Sequence, residues 1–178
     1  MGEAYLRERE MAEPVVAWLE SQWLSVRPEI YTVCGICDLV GYRINPDRAA
    51  QRVRARQATV LTPARLSARI DASGVVRGLD WLPLHDDLAF VELKLTRMAE
   101  VYRQARNHAR LGRSYAALPL PVAEKCVQQG RWRDAGIGVL GVDGDVKELL
   151  PARRPERPLH EAIIIVDRFW REMRRRKR

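Results

Sequence analysis

The chain has 178 residues, a formal net charge of +8, 47% hydrophobic and 30% charged residues, which is the balance of a folded domain with a real core. No run approaches the ~20 apolar residues of a membrane helix, and the charged start MGEAYLRERE lacks the apolar segment of a signal peptide, so we expect a cytoplasmic protein without a membrane partner. Three cysteines argue against a disulfide framework. The positive charge suits a polyanionic partner such as nucleic acid.

The first predicted elements are a helix and a pair of strands. Apolar residues at steps of four predict a helix over about residues 3–24, kinked or divided by Pro14: Met11, Val15, Leu19 and Trp23. The next segment, EIYTVCGICDLVGYRI, is rich in β-branched and aromatic residues and predicts two strands. Residues 46–80 contain many arginines, with a predicted helical stretch at about 47–57 and a second short helix after Pro63, and we interpret the whole segment as an insertion.

The second half of the chain alternates strands and helices. A strand is predicted at about 88–95 and a helix at 97–112, followed by the strand SYAALPL, the helix PVAEKCVQQGRW, and the strands GIGVLGV and VKELLPA. This order predicts an α/β fold with a mixed central sheet flanked by helices. We assign residues 1–152 to one domain, and residues 153–178 to a proline- and arginine-rich linker with a basic, amphipathic C-terminal helix.

The segment AFVELKLTR, residues 89–97, places Glu92 and Lys94 inside an otherwise apolar strand. Because side chains alternate along a strand, the two charges are predicted to share one face. They are either an ordinary ion pair at the strand end or two parts of a site. Lysine is scarce, with 27 arginines against four lysines, and this draws attention to Lys94.

A third charged residue, Asp38, is the acid in the centre of the preceding strand pair. If Asp38 and Glu92 meet, their carboxylates suit Mg²⁺ or Mn²⁺, which are hard ions that take oxygen ligands. A lysine beside them can orient an attacking water or stabilise charge on a phosphate. Arginine would substitute poorly, because its guanidinium is shaped for bidentate clamping.

This pattern resembles the PD-(D/E)XK, or restriction-endonuclease-like, nuclease superfamily, and the layout resembles its resolvase-like branch. The motifs are a lead-in helix EREMAEPVVAWLE, the acid strand CDLVGYR, the signature VELK and the helix VYRQARNHARLGRSYAALP. The resemblance implies a restriction-endonuclease-like core with the insertion before the Glu-x-Lys strand. It implies Mg²⁺ or Mn²⁺ held by Asp38, Glu92 and the Leu93 carbonyl, with Lys94 as the catalytic lysine and Gln104 beside the site. DNA is the implied substrate, and a homodimer is compatible with it, since many relatives cut both strands as dimers.

The family's glutamate on the first helix has several candidates in this chain. At 100° per residue, Glu8 lies within about 20° of the apolar stripe, whereas Glu10, Glu13 and Glu20 lie about 140° to 160° away. We therefore expect Glu8 to face the sheet and to join the catalytic residues. The sequence departs from the pattern at Cys37, where many members have proline.

Other polar residues have plainer interpretations. A lone Glu-x-Lys is expected by chance about 0.3 times in such a chain, so the surrounding strand and helix carry the assignment. His85, Asp86 and Asp87 could bind a metal, but we expect them to form a solvated loop. His108, one turn beyond Gln104, could reach the site, but we expect it to be at the surface or half-buried. The CxxC of Cys34 and Cys37 lacks the second pair typical of structural zinc, so buried small residues are the preferred interpretation.

Three functions follow from these patterns. The leading hypothesis is a metal-dependent deoxyribonuclease, most simply an endonuclease. The second is a non-catalytic DNA-binding or assembly module on the same fold, because fold does not fix function. The third is an interaction protein, with Trp18, Trp23 and the C-terminal helix forming an interface.

Overall fold

A computed structural model describes residues 7–54, 84–156 and 159–176. A 3₁₀ helix, Glu8–Met11, precedes the helices α1 (Ala12–Ser21), α2 (Pro46–Arg54), α3 (Met98–His108), α4 (Leu120–Val127), α5 (Arg131–Asp134) and α6 (His160–Arg176). The strands are β1 (Ser25–Thr32), β2 (Gly35–Ile44), β3 (His85–Leu93), β4 (Arg113–Pro119), β5 (Gly138–Asp143) and β6 (Asp145–Leu150). Most of the predicted insertion lies outside the described residues, apart from the part that includes α2.

The six strands form one mixed sheet in the order β1-β2-β3-β4-β5-β6. Strands β1, β2 and β3 are antiparallel neighbours, β3, β4 and β5 are parallel, and β6 returns antiparallel to β5. Helices α3 and α4 lie in the connections β3–β4 and β4–β5, since two parallel strands need a crossover between them. The prediction of a mixed α/β sheet flanked by helices is confirmed.

The first helical region consists of two pieces. The 3₁₀ turn ends at Met11, and Pro14 then lies in the first turn of α1, where proline costs no helical hydrogen bond. The apolar stripe is buried at Met11, Val15 and Leu19. The prediction that Trp23 continues this stripe is wrong, because α1 ends at Ser21. Trp23 has a positive φ of 63°, and its side chain is 83% exposed.

The two faces of the sheet carry separate apolar clusters. Helix α1 covers the face that includes Leu39, Val91 and Leu93. Helix α6 covers the other side of β2 and β3, where Phe169 packs against Tyr42 with ring centroids 4.8 Å apart. The C-terminal helix, which the sequence separates from the first 152 residues, therefore contributes to the same core as β2 and β3.

The start of β3 differs from the predicted solvated loop. His85, Asp86 and Asp87 belong to the strand itself, and Asp87 is only 7% exposed. Arg113 donates from Nε and Nη2 to its two carboxylate oxygens at 3.1 and 2.8 Å, and Arg154 lies 3.2 Å away. A carboxylate can be buried when it is paired with a cation, so these arginines explain why Asp87 is buried rather than solvated as predicted. Among the residues described, none of the helices is both long and apolar enough to traverse a bilayer.

Candidate functional site at the end of strand β3

The side chain of Lys94 organises a charged cluster at the carboxyl end of β3. Its Nζ donates to Glu8 Oε2 at 3.1 Å and to the Leu93 carbonyl at 2.9 Å, and it lies 3.8 Å from Asp38 Oδ2. The Lys94 side chain is 11% exposed, while those of Glu8 and Asp38 are 43% and 33% exposed. The cluster is therefore closed behind the lysine and open to solvent at the two carboxylates.

Glu8 is the helical glutamate that reaches the site, as the angular argument predicts. Glu10, Glu13 and Glu20 are all exposed, whereas Glu8 is half-buried beside Lys94. The 3₁₀ turn that contains Glu8 is held by Met11, which is fully buried beneath it. Packing of Met11 therefore positions Glu8 even though this turn is not α-helical.

Asp38 lies at a local change of phase in β2. Strict alternation would place Cys37 on the side of Leu39, yet Cys37 belongs to the cluster on the opposite face, with Val40. Glu29, between the β1 residues that pair with Leu39 and Cys37, has a positive φ of 48°. This irregularity leaves Asp38 beside Lys94, where Asp38 Oδ2 accepts a hydrogen bond from the Leu93 amide at 2.7 Å.

The electrostatics of the cluster favour an ammonium at Lys94. Burial lowers the pKa of Lys94, but the carboxylates of Asp38 and Glu8 outweigh it and hold that pKa above its ordinary value. The pKa of Asp38 is also raised, first by burial and then by the charge of Glu92, against the lowering effect of the Leu93 amide. Because Asp38 resists ionisation beside other carboxylates, a cation bound there would favour its charged form.

Glu92 does not join Lys94, contrary to the prediction that the two share a surface. Its side chain is fully buried, and Oε1 lies 2.8 Å from Nδ1 of His108 on α3. Lys94 lies just past the end of β3 and turns toward Glu8 instead. The alternation rule fails here because it applies only within the strand.

His108 is 1% exposed, so the expectation of a surface or half-buried histidine is wrong. Its ring stacks on Phe90 with centroids 5.3 Å apart and an interplanar angle of 6°. Val101, Ala105 and His108 form the buried face of α3, at spacings of four and three residues. This periodicity was visible in the sequence, and it was the signal that could have placed His108 inside.

Two further residues lie next to this buried pair. Cys37 is fully buried, and its Sγ, a nitrogen of His108 and a carboxylate oxygen of Glu92 all lie within 4.8 Å of one another. Burial, with the charges of Glu92 and Asp38, raises the pKa of the Cys37 thiol well above its ordinary value. Gln104 lies one helical turn before His108, and its buried Oε1 has no hydrogen-bond partner among the described residues.

Comparison with known proteins establishes the fold and nothing beyond it. No protein-family model matches the chain, and no curated protein matches it. A solved structure of a protein of unknown function from Silicibacter pomeroyi is similar to it, with a TM-score of 0.56 and 11% sequence identity. The similarity covers 96% of this chain and 89% of that one. The two chains therefore share an α/β architecture over nearly their whole length.

Proposed function

We propose that the protein is a metal-dependent nuclease that hydrolyses phosphodiester bonds in DNA. The observation that carries this proposal is the Lys94 ammonium, held 3.1 Å from Glu8 and 3.8 Å from Asp38 at the open end of β3. In α/β sheets, ligands bind beyond the carboxyl ends of parallel strands, and β3 is the strand where the sheet changes from antiparallel to parallel pairing.

The order of elements supports a restriction-endonuclease-like core. A helical segment with Glu8 is followed by the strand with Asp38, the strand with Glu92, and a helix with Gln104. This is the sequence of parts that the resemblance to PD-(D/E)XK nucleases implies. The 3₁₀ turn, β2 and α3 all contact β3, which carries Glu92 and leads to Lys94.

The donor atoms near Lys94 are of the type that a hard divalent cation such as Mg²⁺ or Mn²⁺ takes. Asp38 lies beside Lys94, and the charge of Glu92 contributes, after burial, to the raised pKa of Asp38, although the Glu92 carboxylate itself faces His108. Together with the Leu93 carbonyl, the two carboxylates are the oxygen ligands that such an ion prefers. When bound, the cation would supply Lewis acidity toward a phosphate oxygen and a more acidic water.

Lys94 acts as a cation rather than as a base. Since its pKa is raised, it stays protonated at neutral pH and donates from Nζ. It can orient an attacking water and stabilise the charge that develops on the phosphate. Glu8 holds this ammonium in place through the 3.1 Å hydrogen bond.

Exposed arginines are close in sequence to the residues of the cluster. Arg7 and Arg9 flank Glu8, and Arg97 follows Lys94 at the start of α3. These side chains can contact phosphates without regard to base sequence, so the affinity for DNA should fall steeply with salt. Such contacts to phosphates would serve cleavage that is not sequence-specific.

One observation favours the non-catalytic alternative. The carboxylate of Glu92 points into the interior toward His108 rather than toward Lys94. A module that binds DNA without cutting it would keep the arginines and would not need Glu92 in the open cluster.

A cleavage assay separates these two functions. Supercoiled, linear and branched DNA is incubated with the wild type and with Asp38→Ala, in Mg²⁺, Mn²⁺ or EDTA. We expect metal-dependent cleavage that is lost in the variant. Salt-sensitive binding with no cleavage on any substrate, in either metal, would establish the binding module instead.

A further inference from the structure

The interior side of the site contains a buried carboxylate with one unsatisfied oxygen. Oε1 of Glu92 lies 2.8 Å from Nδ1 of His108, the distance of an ion pair, whereas Oε2 of Glu92 has no hydrogen-bond partner among the described residues. Both residues are at most 1% exposed, so water does not compensate them from bulk solvent.

The hydroxyl of Thr32 lies against the other nitrogen of His108. Thr32 Oγ1 accepts from the Cys34 amide at 3.0 Å and lies 2.8 Å from the Gly35 carbonyl and 3.0 Å from His108 Nε2. Its one hydrogen can go to the carbonyl or to Nε2, so either ring nitrogen of His108 can carry the proton. With the proton on Nε2, Nδ1 presents a lone pair toward Glu92, as a ligating imidazole requires.

A proton or a cation can hold Nδ1 of His108 and Oε1 of Glu92 together. A proton on Nδ1 satisfies Oε1 but leaves Oε2 of Glu92 without a hydrogen-bond partner among the described residues. Two ligands of one tetrahedral Zn²⁺, each about 2.1 Å from the ion, lie roughly 3.4 Å apart. The pair, now 2.8 Å apart, would therefore open slightly when it binds an ion.

We propose that Cys37, Glu92 and His108 form a buried site for a thiophilic divalent cation of the Zn²⁺ or Co²⁺ class. The thiol, carboxylate and imidazole lie within 4.8 Å of one another, and three protein ligands leave a fourth position open. Thiolate and carboxylate together balance the charge of the ion, which makes burial tolerable. The Thr32 hydroxyl serves as the outer partner that accepts from Nε2 of the ligating histidine.

Binding requires the thiol of Cys37 to lose its proton. Sγ lies 3.3 Å and 3.5 Å from the carbonyl oxygens of Leu39 and Val91, an environment that suits a protonated thiol. The S–H bond breaks, the sulfur–metal bond forms, and one proton passes to the buffer for each ion bound. Since the ligands are buried, the ion enters during folding or local opening, and it should exchange slowly.

This site does not rest on the proposed nuclease function. Glu92 is common to both, and its two oxygens allow it to serve an ion on each side. Asp38 belongs only to the open cluster, whereas Cys37 and His108 belong only to the buried one. Variants of these residues therefore separate the two proposals.

The test is to refold the wild type in the presence of Co²⁺, remove free metal, and record the absorption spectrum. We expect one Co²⁺ per chain and a thiolate-to-Co²⁺ charge-transfer band in the near ultraviolet. Cys37→Ser should lose the band. Cys126→Ser is the matched control, because Cys126 is also buried but belongs to a different cluster. Asp38→Asn should keep the band whether or not the protein cleaves DNA.

X-ray absorption of the Co²⁺-loaded wild type guards against a variant that fails to fold. One sulfur ligand together with nitrogen and oxygen ligands is the expected coordination. A shell of nitrogen and oxygen alone, no retained metal after refolding, or an undiminished band in Cys37→Ser would overturn the proposal.

Discussion

The ammonium of Lys94 lies 3.1 Å from the carboxylate of Glu8, a residue 86 positions earlier in the chain. The contact joins the carboxyl end of β3 to the 3₁₀ turn before α1, and Asp38 completes it from β2. Three separate parts of the chain therefore bring charge to one place. An ion pair needed only for stability would not require the second carboxylate, whose own pKa is raised there.

Replacement of Lys94 tests the catalytic proposal most directly. Lys94→Ala removes the cation that orients water and stabilises the phosphate, and we expect cleavage to fall by at least about 10²-fold. DNA binding should change little, because the exposed arginines remain. Lys94→Arg is the matched control: it keeps the charge but not the compact ammonium, and should restore little activity. Cleavage at the wild-type rate in Lys94→Ala would remove Lys94 from the mechanism.

Asp38→Asn should stabilise the fold at neutral pH. The folded-state pKa of Asp38 lies above its ordinary value because of burial, so ionisation costs folding free energy as pH rises. The amide oxygen can still accept the Leu93 N–H. We expect the Tm of the variant to exceed that of the wild type at neutral pH and to match it at acid pH, where Asp38 is protonated in both states. A Tm below that of the wild type at pH 7 would show that ionised Asp38 does not destabilise the fold.

His85 should make the stability depend on pH. Burial, helped by Arg48, lowers the pKa of His85 from 6.5 to about 4. The unfolded chain therefore binds a proton between about pH 6.5 and pH 4 that the folded protein refuses. Stability should fall as pH falls through this window and should level off below it. Chemical denaturation across this range should show that the free energy of unfolding depends less steeply on pH in His85→Gln than in the wild type. Equal slopes would show that His85 is not the source of the pH dependence.

Phe169→Ala tests whether α6 is part of the core. The ring is 1% exposed and packs on Tyr42, so truncation should lower the free energy of unfolding by about 3–5 kcal/mol. Glu172→Ala, on the same helix, is the control: its side chain is 47% exposed and 3.9 Å from Arg27, which predicts a loss of about 1 kcal/mol at most. Equal, small effects in a denaturant titration would mean that α6 docks only loosely.

The order and type of the elements followed from local patterns. Alternating apolar segments predicted the strands, and periodic apolar residues predicted α1 and α3, since burial of one face imposes these repeats. The same periodicity selected Glu8 over Glu10, Glu13 and Glu20, and its position beside Lys94 agrees.

Buried polar groups were the hardest to predict. The sequence alone predicts a solvated Asp87, because the arginines that pair with it, Arg113 and Arg154, come from distant segments. His108 continues the buried stripe of Val101 and Ala105, but the partners that its ring needs, Phe90 and Thr32, come from the strands β3 and β1. Polar residues enter a core only with partners, and those partners come from elsewhere in the chain.

By itself, the sequence determined the mixed α/β sheet and drew attention to Asp38, Glu92 and Lys94. Only the tertiary structure decided that Lys94 turns to Glu8 while Glu92 turns inward to His108. The reason is that β3 ends at Leu93, so the two-residue repeat that would keep both charges on one face stops between them. Cys37 joins Glu92 and His108 for a related reason, because the change of phase at Asp38 moves it to their side of the sheet.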